Sequence, residues 1–147
     1  MEAIMKATFL GIIGVVGAAV VGALGGWDTA LQTLIIFMAI DYFSGLIVAA
    51  VFKASPKSEN GALESRAGLK GLLRKMAMLC AVLMSYYLDK VAGTDIVRDA
   101  ACIAFICNEA ISIIENFGLM GVPIPPVIVN AIDALRGDKG GEEDGKA

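Results

Sequence analysis

Polar residues inside two strongly apolar segments are the groups of this sequence best placed to do chemistry. Asp41 lies within "LIIFMAIDYFSGLIVAAVF" (34–52), where an ionised carboxylate at the centre of a bilayer would cost about 2.5–3.5 kcal/mol on insertion scales. A second set lies in "VRDAACIAFICNEAISIIENF" (97–117) and comprises Asn108, Glu109, Ser112, Glu115 and Asn116. Groups of this kind face protein or water rather than lipid, so they are candidates for lining a pore or for fixing helix contacts.

Asp41 and Glu109 each lie about a dozen residues from one end of their apolar segment. If the two segments run parallel, both carboxylates sit at one depth and could share a site, with Arg74 or Lys75 reaching toward them. A monomeric bundle of four short helices would leave several of these polar groups unsatisfied, which favours an oligomer with a water-contacting face. The alternative is an Asp41 that only hydrogen-bonds a neighbouring helix to fix its packing.

The composition points to a membrane protein. Of the 147 residues, 57% are hydrophobic and the mean hydropathy is +0.73, above the roughly 45–50% apolar content of soluble domains. A net charge of −3 offers no basic field for nucleic acid. The absence of histidine removes the commonest general base and metal ligand, so we expect no enzyme activity, no metal and no cofactor. The three cysteines lie in apolar segments and are expected to act as small hydrophobes.

The elements that must position these groups are helices. Segments 7–25, 29–52, 71–88 and 98–117 approach the roughly 20 apolar residues needed to cross a bilayer. The fourth is the most amphipathic and could instead lie in the membrane interface. Half of the basic residues fall between the second segment and the first turns of the third, in a predicted cytoplasmic loop containing Lys53, Lys57, Arg66, Lys70, Arg74 and Lys75. The sequence therefore predicts an all-α, multi-pass protein of the bacterial cytoplasmic membrane with about four spans and both termini inside.

Small residues recur every four positions in the first segment, at Gly14, Ala18, Gly22 and Gly26. Such a stripe allows two helices to approach closely in lipid, although glycine is also generally frequent in membrane helices. We divide the chain into a transmembrane domain (1–117), a Gly/Pro turn with a cytoplasmic amphipathic helix (118–136) and a disordered polar tail (137–147). The amphipathic helix could rest on the inner leaflet or on a neighbouring subunit.

An ordered set of motifs resembles the phage lysis and toxin-secretion holin family, which includes the clostridial toxin-export holin. The set covers about residues 25–136 and comprises Asp41-Tyr42 with Gly45, Gly71 with Lys75, Asp89, Asn108-Glu109, Ser112, Glu115-Asn116, and Gly121 through Pro125. The acidic, glycine-rich tail departs from the basic tails common among holins.

The resemblance implies a small, non-enzymatic, phage- or prophage-encoded protein whose partners are the lipid bilayer and other copies of itself. Such a protein would oligomerise and open lesions that release an endolysin or a secreted toxin. Two other functions stay open. The chain could form a small oligomeric ion channel gated by Asp41 and Glu109, or it could be an antiholin-like regulator that inserts without permeabilising the membrane.

Overall fold

The computed structural model describes residues 1–137, and these are helical with no strand. The all-α prediction is confirmed for this part of the chain. The elements are α1 (Glu2–Ala23), α2 (Thr29–Ile47), a π-helical turn (Val48–Phe52) that continues α2, α3 (Ser65–Ala92), α4 (Ile96–Leu119) and α5 (Pro126–Arg136).

Helices α2, α3 and α4 form a bundle in which α4 packs most extensively on α2 and then on α3. Buried residues recur at intervals of three or four along each helix, which places them on one face. The apolar core comprises Leu24, Leu31, Leu34, Met38, Met78, Val82, Cys102 and Ile106. The same buried faces turn polar toward each end, with Asp41 and Ser44 on α2 and with Lys75 and Asp89 on α3. The apolar core therefore lies between two polar layers.

Helix α1 lies apart from this bundle, since none of its residues is buried. A Cβ built on Gly14 or Gly22 meets nothing within 4 Å, so the stripe faces outward and its packing role stays a prediction. The inclusion of Gly26 in that stripe is wrong. Gly26 lies beyond the end of α1, in a turn with a left-handed φ of 101°.

Two of the described helical stretches, Glu2–Ala23 and Thr29–Phe52, are long and apolar enough to cross a membrane. Helices α3 and α4 are not among them, so the four-span topology and its orientation stay predictions. The description of the basic residues as a loop is wrong for four of the six. Helix α3 begins at Ser65 rather than near residue 71, and it therefore contains Arg66, Lys70, Arg74 and Lys75.

The amphipathic helix predicted after the Gly/Pro turn is present as α5, with Pro126 at its first position, where proline's fixed φ and missing N–H are tolerated. Its one buried residue is Ile132, and α5 packs against α4 of the same chain. Leu135 and Arg136 share a cleft with Ala100 and Ile103, so α5 runs back along α4. The predicted disordered tail lies, from residue 138 onward, outside the described residues.

Candidate functional site

The side chain of Lys75 joins α3 to both of the other bundle helices. Its Nζ lies 2.7 Å from Asp41 Oδ2 on α2 and also donates to Glu109 Oε2 on α4. Lys75, Asp41 and Glu109 are 8%, 5% and 2% exposed, respectively. The sequence placed Asp41 and Glu109 at equal depth and named Lys75 as a cation that could reach them, and the structure brings all three together.

Asn116 completes the connection between α4 and α2. Its Nδ2 donates to Ser44 Oγ at 2.9 Å, to Asp41 Oδ1 at 3.2 Å and to the Asp41 carbonyl oxygen at 3.3 Å. The Ser44 hydroxyl also donates to the Asp41 carbonyl oxygen, at 3.1 Å. We call the group formed by Asp41, Ser44, Lys75, Glu109 and Asn116 the charge cluster.

A second ammonium group approaches the charge cluster from the connection between α2 and α3. Lys57 Nζ lies 3.9 Å from Asp41 Oδ1, and its side chain is 47% exposed, against 7% for Asp41. Two carboxylates then face two ammonium groups, so the local charge sums to zero. This balance matters because an uncompensated buried charge costs several kcal/mol.

The sequence-based argument that a single chain would leave these groups unsatisfied is wrong. No fully buried side-chain nitrogen or oxygen of the described residues lacks a hydrogen-bond partner. The argument failed because it assumed that no basic partner lies at the depth of the two carboxylates. In the structure Lys75 lies on the buried face of α3, in line with Met78 and Val82.

The remaining predicted polar residues lie at the mouth of an adjoining cleft of about 390 Å³. Asn108 and Glu115 are exposed and Ser112 is half-buried, and all three line the cleft. Its other lining residues are Asp41, Lys57, Ala67, Lys70, Gly71, Arg74, Lys75, Glu109 and Ile111. The predicted stripe of α4 therefore divides into a buried part that belongs to the charge cluster and an open part that faces the cleft.

The second polar layer, at the other end of the bundle, centres on Arg98. Its guanidinium donates to the Leu24 carbonyl oxygen at 2.7 Å, to the Gly26 carbonyl oxygen at 3.3 Å and to Asp28 Oδ1 at 3.2 Å. This planar, five-donor group thereby fixes the turn between α1 and α2. Asp28 is also the N-cap of α2, where Oδ1 accepts from the Leu31 N–H at 2.9 Å. The Arg98 hydrogen bond is the largest cause that holds the pKa of Asp28 below its ordinary value of 3.8.

Sequence reasoning assigned no role to two acidic residues of this layer, Asp28 and Asp89, although Asp89 belongs to the motif set that resembles the holin family. Asp89 accepts from the backbone N–H groups of Val97 and Arg98, at 3.1 and 2.8 Å, and so satisfies the first turn of α4. Asp28 carries a recognisable signal, because it directly precedes the apolar run of α2 as an N-cap does. Asp89 carried no such signal, since its partners are created by the turn between α3 and α4.

The chemistry available at both layers is electrostatic. The described residues contain no group of three or more Cys, Asp or Glu side chains placed to hold a metal ion. Of the cysteines, Cys102 and Cys107 are buried and Cys80 is exposed, and all three are free thiols.

Comparison with known proteins identifies relatives across nearly the whole chain. The sequence profile of the bacteriophage holin family matches residues 18–137. An uncharacterised protein of Listeria innocua is 38% identical over 144 residues, covering 95% of this chain and 94% of the relative. The "Probable holin" of Bacillus phage phi105 is 31% identical over 109 residues, covering 74% of this chain and 75% of the relative. No solved structure matches.

Proposed function

The chain belongs to the bacteriophage holin family, and on that premise we propose that it is a holin. It accumulates in the cytoplasmic membrane of a bacterium, oligomerises and opens lesions through which an endolysin or a secreted toxin leaves the cell. The observation that carries the proposal is the family match, which contains α2 to α5 entirely. The protein acts without breaking a covalent bond.

The topology we propose has α1 to α4 as spans, with the N-terminus and the connection between α2 and α3 in the cytoplasm. At about 1.5 Å per residue, the 28 residues of α3 are about 42 Å long and the 24 residues of α4 about 36 Å. Both exceed the roughly 30 Å hydrocarbon core of a bilayer. Their charged ends can therefore lie among the headgroups, while the charge cluster is shielded from lipid by the neighbouring helices.

The closed subunit is the structure described above. Together with Lys57, its charge cluster carries two ammonium groups and two carboxylates, and its buried polar atoms are hydrogen-bonded, so a single copy can reside in the membrane without exposing an unpaired charge to lipid. Asp41, Lys75 and Glu109 also line the adjoining cleft. Opening would separate the helices at this cleft and replace the contacts within one chain by water and by contacts between chains.

The membrane potential acts on the same groups. A charge that crosses the full field changes in energy by about 2.3 kcal/mol per 100 mV. Depolarisation therefore alters the balance between a closed cluster and an opened, hydrated one. Helix α1, which is apolar and wholly unpacked in the single chain, supplies a surface for association with other copies.

The test is inducible expression in a bacterium that also carries a cytoplasmic reporter enzyme, with growth, membrane potential and reporter release followed together. A holin produces a delay and then abrupt growth arrest with release of the reporter. Depolarisation without reporter release would instead indicate an ion channel. Unaffected growth despite confirmed insertion would indicate an antiholin-like regulator.

A further inference from the structure

Two basic residues of α3 have no role in the charge cluster. Lys70 and Arg74 are four positions apart, are both exposed and both line the cleft of about 390 Å³. Neither has a carboxylate within 4.0 Å among the described residues, whereas Lys57 and Lys75 are within that distance of Asp41. The cleft therefore presents two cations that are available to a ligand.

The opposite wall of the cleft belongs to α4 and is of different chemistry. Asn108 and Ser112 offer amide and hydroxyl groups, and Glu115 offers an exposed carboxylate. A carboxylate repels a phosphate but accepts hydrogen bonds from hydroxyl groups. Small side chains on the α3 wall, at Ala67 and Gly71, leave room between the two helices.

The position of this cleft along α3 matches the depth of lipid headgroups. Because α3 is about 12 Å longer than the hydrocarbon core, roughly eight of its residues lie outside that core, about four at each end of a centred helix. Lys70 then lies within about one turn of the headgroups, and the flexible side chains of Lys70 and Arg74 can extend to them. Leu73 and Met76 next to them are 59% and 54% exposed, and they offer an apolar surface to acyl chains.

We propose that this cleft binds the headgroup of an anionic phospholipid that carries a polyol, as phosphatidylglycerol does. The phosphate lies between Lys70 and Arg74, and the hydroxyl groups of the polyol face Asn108 and Glu115. The proposal depends on the proposed function only in requiring that α3 crosses a membrane. Lipid binding at this position would make the separation of α3 and α4, beside the charge cluster, depend on the lipid composition of the bilayer.

The test uses the purified full-length protein in nanodiscs that contain phosphatidylcholine with increasing phosphatidylglycerol, and lipids retained after transfer to detergent are counted by native mass spectrometry. We compare the wild type with K70Q/R74Q. Each basic residue near an anionic surface contributes about a factor of five in binding, so the double variant should retain phosphatidylglycerol about 30-fold less tightly at low salt. The control is R66Q, which removes an exposed charge from the first turn of α3 that does not line the cleft and should therefore lose no more than the factor of about five expected for one surface charge.

Two further arms separate lipid binding from other causes. K70R/R74K keeps both charges and should keep the preference for phosphatidylglycerol, which a general folding defect would not explain. Inorganic phosphate added at the concentration of the lipid should not displace it. Equal retention of both lipids by the wild type, a loss in R66Q as large as that in K70Q/R74Q, or displacement by phosphate would overturn the proposal. None of these outcomes depends on lesion formation, so a failed holin assay leaves the binding result interpretable.

Discussion

Lys75 Nζ lies 2.7 Å from Asp41 Oδ2, although the two residues are 34 positions apart and belong to different helices. The same ammonium group reaches Glu109, which lies another 34 positions along the chain. One cation therefore holds three helices together at the depth where the sequence alone showed only isolated carboxylates.

Replacing Lys75 by methionine should destabilise the helical bundle. The substitution leaves the Asp41 and Glu109 carboxylates buried without their shared cation, and removing one partner of a buried ion pair costs about 3–5 kcal/mol. The free energy of unfolding in mixed detergent micelles, followed by circular dichroism, measures this loss. Lys70→Met is the matched control, because Lys70 is exposed and lies outside the charge cluster. Adding Asp41→Asn and Glu109→Gln to Lys75→Met should recover stability, because no buried charge is then left without a partner. A Lys75→Met variant as stable as the Lys70→Met control would contradict the role of Lys75 as the shared cation.

Gly25 and Gly26 should respond differently to alanine. Both have left-handed φ values, of 94° and 101°, so each substitution carries backbone strain of about 1–3 kcal/mol. Only at Gly25 would the new Cβ also meet side chains, at 2.7 Å from Arg98 Nε and 2.9 Å from the Tyr86 ring. We expect Gly25→Ala to lower the midpoint of thermal unfolding further than Gly26→Ala does. Equal losses would mean that Arg98 does not hold the α1–α2 turn in the observed position.

Asp28 should contribute a pH-dependent part of the stability. Its pKa in the folded protein is lowered, first by the hydrogen bond from Arg98, so its stabilising effect is fully present above its ordinary value of 3.8. The effect should be lost as the pH falls below 3.8 and through the lower, folded-state pKa. An asparagine at this position would still cap α2 but has no carboxyl group to protonate. The difference in unfolding midpoint between wild type and Asp28→Asn should therefore shrink as the pH is lowered. A difference that stays constant across that range would be inconsistent with the Arg98–Asp28 contact.

The sequence predicted the helical class, the amphipathic fourth helix and the shared depth of Asp41 and Glu109. These features follow from local composition and from helical periodicity, which a single segment displays. The sequence predicted the contact between Lys75 and the two carboxylates only as one possibility. Lys75 is one of several neighbouring basic residues, and such a group is also typical of a cytoplasmic loop. The packing of α3 decides the matter, because Lys75 shares the buried face of that helix with Met78 and Val82.

The second polar layer shows what local patterns omit. Arg98 is a conspicuous charge near the start of an apolar segment, but two of its partners, the Leu24 and Gly26 carbonyl oxygens, are backbone groups more than 70 positions away. Side-chain type does not identify such acceptors, since every residue carries a carbonyl. Gly26 was misplaced for a related reason. Its four-residue spacing from Gly22 continues the stripe, yet α1 ends at Ala23.

The measurement that tests the central claim most directly is the time from induction to release of a cytoplasmic reporter enzyme for Asp41→Asn and Glu109→Gln. Asp95→Asn is the control, because Asp95 is exposed and forms no side-chain cap to α4. If the charge cluster keeps the subunit closed, both cluster variants should release the reporter earlier than wild type at equal membrane abundance, and Asp95→Asn should match wild type. Release at the wild-type time or later by both cluster variants would contradict the claim.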